Sequence, residues 1–190
     1  MKQFIVILLG CLMILPASAQ SIKGGQFYID PGFTSLGFNS TNVSIDGAED
    51  PTNSTRLGFS LGAGIGLFKN FAIEAGFAVQ NLTDTEDDVA LKLSGAYAGV
   101  RFYLLKGLFV SGAAMTATGK LSDGTGTTSD YGNELDALLF KGKAGYDIFF
   151  KKHFAIEPNV SYLRSISASI ADTDIDFDNL SLNISFLYKF

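Results

Sequence analysis

The last twelve residues, Asn179-Leu180-Ser181-Leu182-Asn183-Ile184-Ser185-Phe186-Leu187-Tyr188-Lys189-Phe190, place an apolar side chain at every even position. Successive side chains of a strand point to opposite faces, so this alternation predicts a strand with one wholly apolar face. The same pattern recurs upstream. Leu57, Phe59, Leu61, Ala63, Ile65 and Leu67 alternate with Arg56, Gly58, Ser60, Gly62, Gly64 and Gly66. Phe71, Ile73, Ala75, Phe77 and Val79 alternate with Ala72, Glu74, Gly76, Ala78 and Gln80, and Phe154, Ile156, Pro158, Val160 and Tyr162 with Ala155, Glu157, Asn159 and Ser161. Eight strands are expected, over about 25–37, 55–68, 71–81, 89–105, 108–118, 136–150, 154–165 and 178–190. In the fourth, Leu91 and Leu93 are out of phase with Ala98, Val100 and Phe102, which predicts a bulge or an overhang.

The connections alternate between tight and long. Tight turns are expected at Lys69-Asn70, Lys106-Gly107 and Lys151-Lys152-His153, and long polar loops over about 39–54, 82–88, 119–135 and 166–177. The tight connections share a local repeat, Phe68-Lys69-Asn70-Phe71-Ala72-Ile73-Glu74 against Phe150-Lys151-Lys152-His153-Phe154-Ala155-Ile156-Glu157. In an up-and-down barrel consecutive hairpins lie at opposite ends, so all tight turns fall at one end and all long loops at the other. That asymmetry, with an even strand number, is the one described for outer-membrane barrels, whose short turns are periplasmic and whose long loops are external. A soluble eight-stranded barrel also alternates, but its outward face must be a solvated one, rich in charge. Here the second face is Gly, Ser, Ala and Asn with isolated charges, which suits a crowded interior, so the apolar face points outward to lipid. Phe68, Phe71, Phe102, Phe150, Phe154, Tyr188 and Phe190 at strand ends would form the periplasmic aromatic girdle.

Met1 to Ala19 reads as a secretory signal peptide: Lys2, an apolar run from Phe4 to Leu15, and small residues Ala17-Ser18-Ala19 before Gln20. Cleavage between Ala19 and Gln20 would leave residues 20–190 as one barrel domain. Leu8-Leu9-Gly10-Cys11 also invites a lipoprotein reading, against which the apolar run continues past the cysteine. Cys11 is the single cysteine of the chain, so the mature part has no thiol for disulfides or catalysis. The net charge is −5, and losing Lys2 makes it more negative, which argues against nucleic acid as a partner.

The terminal Phe190, with Tyr188 and Phe186 at alternate positions before it, resembles the C-terminal signal by which the barrel-assembly machinery recognises outer-membrane proteins. With Gly99-Val100-Arg101-Phe102-Tyr103 before a tight turn, the mature chain is similar to the transmembrane domain of outer-membrane protein A and to outer-membrane protein X, especially the short barrels of Bacteroidota-type bacteria. The resemblance implies an all-β, eight-stranded antiparallel up-and-down barrel in the Gram-negative outer membrane. It also implies contact with lipid and lipopolysaccharide. Such motifs specify architecture and export, and members differ in activity.

Six charges are expected inside the barrel: Glu74, Arg101, Asp147 and Glu157 near the tight turns, with Lys141 and Lys143 higher on the sixth strand. Charges in a narrow lumen must be paired or hydrated. One reading is an ion path; the other is a closed ion-pair network filling a lumen that eight strands leave just wide enough for side chains. Asp172, Asp174, Asp176 and Asp178 alternate along an extended run, which raises a Ca²⁺ site; the run lacks the glycine and terminal glutamate of the helical Ca²⁺ loop, and a solvated hairpin edge is the alternative. Asp84, Glu86, Asp87 and Asp88 form a second acidic loop, and a cation bridging such loops to lipopolysaccharide is conceivable. The single histidine, His153, sits in a tight turn at the end opposite to that where lipid-modifying barrel enzymes place their Ser-His pair, so no catalytic residue and no cofactor is expected. The Asn-X-Ser/Thr matches along the chain, such as Asn39-Ser40-Thr41 and Asn81-Leu82-Thr83, are read as coincidental Asn/Ser richness. The expected role is therefore structural or adhesive, as a monomer with an unspecified surface ligand. The alternatives are a narrow porin-like conduit for ions or small, apolar molecules and, third, a lipid-modifying enzyme.

Overall fold

The computed structural model describes residues 22–45, 48–50, 54–84, 90–105, 107–122, 134–170 and 173–190. The leader, its Ala19/Gln20 junction and Cys11 lie outside them. The described residues form ten strands: β1 (Phe27–Ile45), β2 (Ala48–Asp50), β3 (Ser54–Phe68), β4 (Phe71–Asp84), β5 (Ala90–Tyr103), β6 (Leu108–Ser122), β7 (Glu134–Tyr146), β8 (Ile148–Phe149), β9 (Phe154–Ile170) and β10 (Thr173–Lys189). Two are short, β2 folding back on β1 and β8 prolonging β7 beyond a break at Asp147. The other eight pair antiparallel with their neighbours, and β1 pairs with both β3 and β10, which closes the sheet into a barrel. Closure pairs the strands around the wall, with a register break on β1 between Thr34 and Asn39, and a closed ladder is the condition for a sheet that lies in hydrocarbon.

The phases follow the alternation. Phe27, Ile29, Phe33, Leu57, Phe59, Leu61, Ile73, Phe77, Val79, Val100, Val110, Phe140, Val160 and Leu180 are exposed on the outer wall. Tyr28, Asp30, Arg101, Phe109, Glu157, Asn159, Ser161 and Asn183 are buried inside. Aromatic rings ring the turn end: Phe68 stacks on Phe71 at 4.7 Å between centroids, Phe154 on Phe186 at 6.0 Å, and Tyr188 meets Phe190 at 5.0 Å. Two of the three tight turns use left-handed backbone, supplied by Asn70 (φ 71°) and Gly107 (φ 82°).

Three expectations change. The fourth strand has no bulge: β5 pairs without a register break to β4 from Phe71↔Phe102 to Thr83↔Ala90, and to β6 throughout. Leu93 instead points into the lumen, where it packs with Ala78, Tyr97, Met115, Leu135, Leu139 and Leu163; the upper lumen is apolar, so an inward leucine needs no change of phase. The expected strand over 136–150 is split at the buried Asp147. Finally, two regions expected as loops, 39–54 and 166–177, are largely strand: β1 runs to Ile45, β9 to Ile170, and β10 starts at Thr173. Ladder hydrogen bonds belong to the backbone, so polar strand ends continue pairing past the apolar wall and weaken the hydropathy signal without ending the strand.

Residues 22–26 fold back beneath the turn end. Ile22 is fully buried among Tyr28, Ala72, Tyr103, Phe109, Ala155 and Leu187, and its carbonyl accepts a hydrogen bond from the Asn70 N–H at 3.1 Å. Gly66 is required there, because a Cβ on it would collide with the Lys23 carbonyl oxygen and with Ile22 Cγ2 at 2.5 Å.

Candidate functional site

The lumen is crossed by a cluster centred on Arg101 of β5, whose side chain has no solvent exposure. Its Nε donates to Glu74 Oε2 at 3.0 Å, Nη1 to Glu157 Oε1 at 2.6 Å and Nη2 to Asp30 Oδ2 at 2.6 Å. Lys143 of β7 donates to Asp30 Oδ2 at 2.9 Å, Glu157 Oε2 at 3.1 Å and Ser185 Oγ at 3.2 Å. Asp30 lies on β1 and Glu157 on β9, each three strands from β5 in the barrel order, so the guanidinium reaches across the lumen to both sides. The fork geometry of Arg serves several carboxylates at once, which an ammonium cannot do with equal order. Arg101 Cζ also lies 4.4 Å from the Phe109 ring centroid and 5.2 Å from that of Tyr28, whose hydroxyl donates to Glu74 Oε2 at 3.2 Å.

Below this layer the Tyr103 hydroxyl donates to Asp147 Oδ2 at 3.0 Å, and the buried Lys189 lies 4.1 Å from the Phe149 centroid. Above it Lys141 Nζ sits 4.0 Å from the Tyr97 centroid. Among the described residues the lumen therefore holds four carboxylates, Asp30, Glu74, Asp147 and Glu157, facing four cations, Arg101, Lys141, Lys143 and Lys189. Balanced charge of this kind is what a low-dielectric interior demands. A polar ladder continues upward on β9 and β10: Asn183 Nδ2 donates to Ser161 Oγ at 2.7 Å, and Ser161 and Ser181 hydroxyls lie 2.9 Å apart. Beside it is a cavity of about 30 Å³ bordered by Ser60, Gln80, Lys141, Lys143 and Asn183, with Gln80 Oε1 and Asn183 Oδ1 buried without a protein partner. Such a space admits one or two waters and nothing larger.

Four of the six expected lumen charges, Glu74, Arg101, Lys143 and Glu157, meet in one network. Asp147 falls one layer below and Lys141 one layer above. Asp30 and Lys189 were missed. The signal for Asp30 was present, since Tyr28, Asp30 and Gly32 alternate with Phe27, Ile29 and Phe33. Phe186, Tyr188 and Phe190 stand on the outer wall at the turn end. Of the acidic run, Asp172 and the side chain of Asp174 lie outside the described residues; Asp176 is exposed and Asp178 half-buried on β10. Among the described residues no three His, Cys, Asp or Glu side chains stand close enough to hold a metal ion. His153 Nδ1 lies 2.8 Å from the Lys189 carbonyl oxygen, inside the turn-end framework.

Solved structures match this architecture. OprG from Pseudomonas aeruginosa is 18% identical, with 91% of this chain and 99% of that chain covered and a TM-score of 0.50. Neisserial surface protein A is 12% identical, with 87% and 99% covered and a TM-score of 0.53. AlkL, solved in lipid bilayers, is 12% identical, with 93% and 96% covered and a TM-score of 0.53. At these identities the likeness is one of fold. No curated protein matches the chain in sequence. The family model described as the outer membrane protein beta-barrel domain matches residues 4–190. With a closed barrel, an apolar outer wall and that match over nearly its whole length, the chain belongs to the outer membrane protein β-barrel domain family and is a Gram-negative outer-membrane protein.

Proposed function

We propose that this protein acts as a closed barrel, a structural and surface-interaction element of the outer membrane that passes no solute along its axis and carries no catalytic residues. The observation behind this reading is the Arg101 layer: one unexposed guanidinium bonded to carboxylates from three other strands reaches across the lumen, which supports a closed level. The interaction surface is then the loop end, with acidic residues such as Asp84, Glu86, Asp87 and Asp88 and the run Asp172 to Asp178. The barrel works as a monomer, its wall in contact with lipid and lipopolysaccharide, after recognition of Phe186, Tyr188 and Phe190 by the barrel-assembly machinery.

The test is single-channel conductance of the refolded protein in a planar bilayer, with gel mobility before and after heating as the check of folding. A folded, silent barrel is expected. Discrete, charge-selective steps that change selectivity in Lys141→Ala or Lys143→Ala without loss of fold would overturn the reading in favour of a conduit.

A further inference from the structure

The outer wall is not uniformly apolar, and the departure has a backbone cause. Leu139 of β7 faces Ser165 of β9 while Leu138 faces Ser167, which leaves Ile166 as an extra residue on β9. A bulge of this kind changes the phase of the side chains beyond it. Ser161, Leu163 and Ser165 are buried in the lumen, whereas past the bulge Ser167 is exposed and Ala168 is buried. Ser167 and Ser169 are thereby turned onto the lipid-facing wall.

Register then lines up two transverse rows, the upper across four strands and the lower across five. In the upper row Ser94 faces Thr118, Thr118 faces Asp136 and Asp136 faces Ser169. In the lower row Phe77 faces Ala96, Ala96 faces Thr116, Thr116 faces Leu138 and Leu138 faces Ser167. Together these residues line a groove of about 550 Å³. That volume falls within the roughly 300–1,000 Å³ typical of small-molecule sites. Below it the Phe140 ring lies against Gly112 and Gly142, where added Cβ atoms would stand 3.7 and 3.4 Å from ring carbons, so the ring covers the wall toward the turn end and leaves the groove open above.

The height of the groove selects its occupant. Thr116 and Thr118 stand eight and ten residues above Leu108, the first residue of β6. At about 3.4 Å per residue and a strand tilt of about 40°, they lie roughly 20–26 Å above the turn end, at the outer border of an apolar band about 25 Å tall. Hydroxyls and a carboxylate facing hydrocarbon would be costly, whereas at this level they meet lipid headgroups. Asp136 with five hydroxyls, and no Lys or Arg among the lining residues, is a poor match for a bare phosphate. It is a good match for a polyol, whose hydroxyls donate to the carboxylate and accept from Ser and Thr. Phe77, Ala96 and Leu138 in the lower row face the start of an acyl chain.

We propose that this groove seats the sugar headgroup of a glycolipid in the outer leaflet, recognised through Asp136 and the hydroxyls of Ser94, Thr116, Thr118, Ser167 and Ser169. The seat is on the outside of the barrel and stands whether or not the lumen conducts. The test is native mass spectrometry of the full refolded protein titrated with monoglucosyldiacylglycerol and, separately, with phosphatidylglycerol of the same acyl chains. The glucolipid should bind at least about tenfold more tightly, and Asp136→Leu should weaken it about tenfold without weakening phosphatidylglycerol, whose phosphate the carboxylate repels. Ala96→Phe, which fills the groove and keeps every polar group, should do the same and carries the test alone where Asp136→Leu fails to fold. Equal binding of the two lipids, a preference for phosphatidylglycerol, or an undiminished glucolipid affinity in Ala96→Phe would each overturn the proposal.

Discussion

Arg101→Met removes the centre of the lumen network while keeping much of the side-chain volume. In the native barrel Arg101 supplies hydrogen bonds to Glu74, Glu157 and Asp30 at 3.0, 2.6 and 2.6 Å. After the change Lys143 alone is left to serve Asp30 and Glu157, and Glu74 keeps only the Tyr28 hydroxyl from the contacts described. Removing one partner of a buried ion pair leaves an uncompensated charge and costs about 3–5 kcal/mol. Arg101→Met should therefore lose about that much stability in urea titrations of vesicle-embedded protein, followed by gel mobility and far-UV circular dichroism because the chain has no Trp. The double change Arg101→Met with Glu157→Gln should recover more than half of the loss, since it removes a stranded carboxylate together with its partner. A loss below about 1 kcal/mol, the value of a solvated surface pair, would refute the reasoning by showing that water already reaches the cluster. Absence of rescue would assign the cost to lost packing on Phe109 and Tyr28 instead.

Lys143→Ala strips three hydrogen bonds from buried groups and should cost at least about 2 kcal/mol, as read by the same urea titration. Gly64→Ala would drive a methyl into the Tyr28 ring and should cost about 1–3 kcal/mol, whereas Gly112→Ala, facing outward with 3.7 Å to the Phe140 ring, should be close to neutral. Leu61→Arg places a charge on the exposed outer wall near mid-strand and should cost about 2–4 kcal/mol in lipid vesicles, and an effect below about 0.5 kcal/mol would contradict the outward phase of β3.

The barrel was legible because its information is periodic: Leu180 to Phe190 and Leu57 to Leu67 state which face meets lipid, and the tight turns at Asn70 and Gly107 state where the chain reverses. What escaped was whatever breaks the period or lies beyond the apolar wall. Leu93 read as a phase error because an apolar lumen residue looks like an outer-wall residue one place out of step. The bulge at Ile166 left no signature in a stretch of Ser, Ile and Ala, so the outward turn of Ser167 and Ser169 could not be read. Inward charges could be listed from phase, but which of them meet depends on barrel closure and side-chain reach. Arg101 and Asp30 are 71 residues apart, and their contact follows from closure between β1 and β10 rather than from any spacing.

The proposed closure of the lumen at Arg101 is tested most directly by hydrogen exchange at the Arg101 side chain itself. Protein labelled with ¹⁵N-arginine and placed in lipid nanodiscs would be transferred to deuterated buffer while the Nε–H signal is followed by NMR. With Nε held by Glu74 at 3.0 Å and the side chain unexposed, the signal should persist for hours after that of the wall-exposed Arg164 has gone. Loss of the Arg101 signal within the dead time of the transfer would show a water-filled passage at that level and contradict the closed barrel.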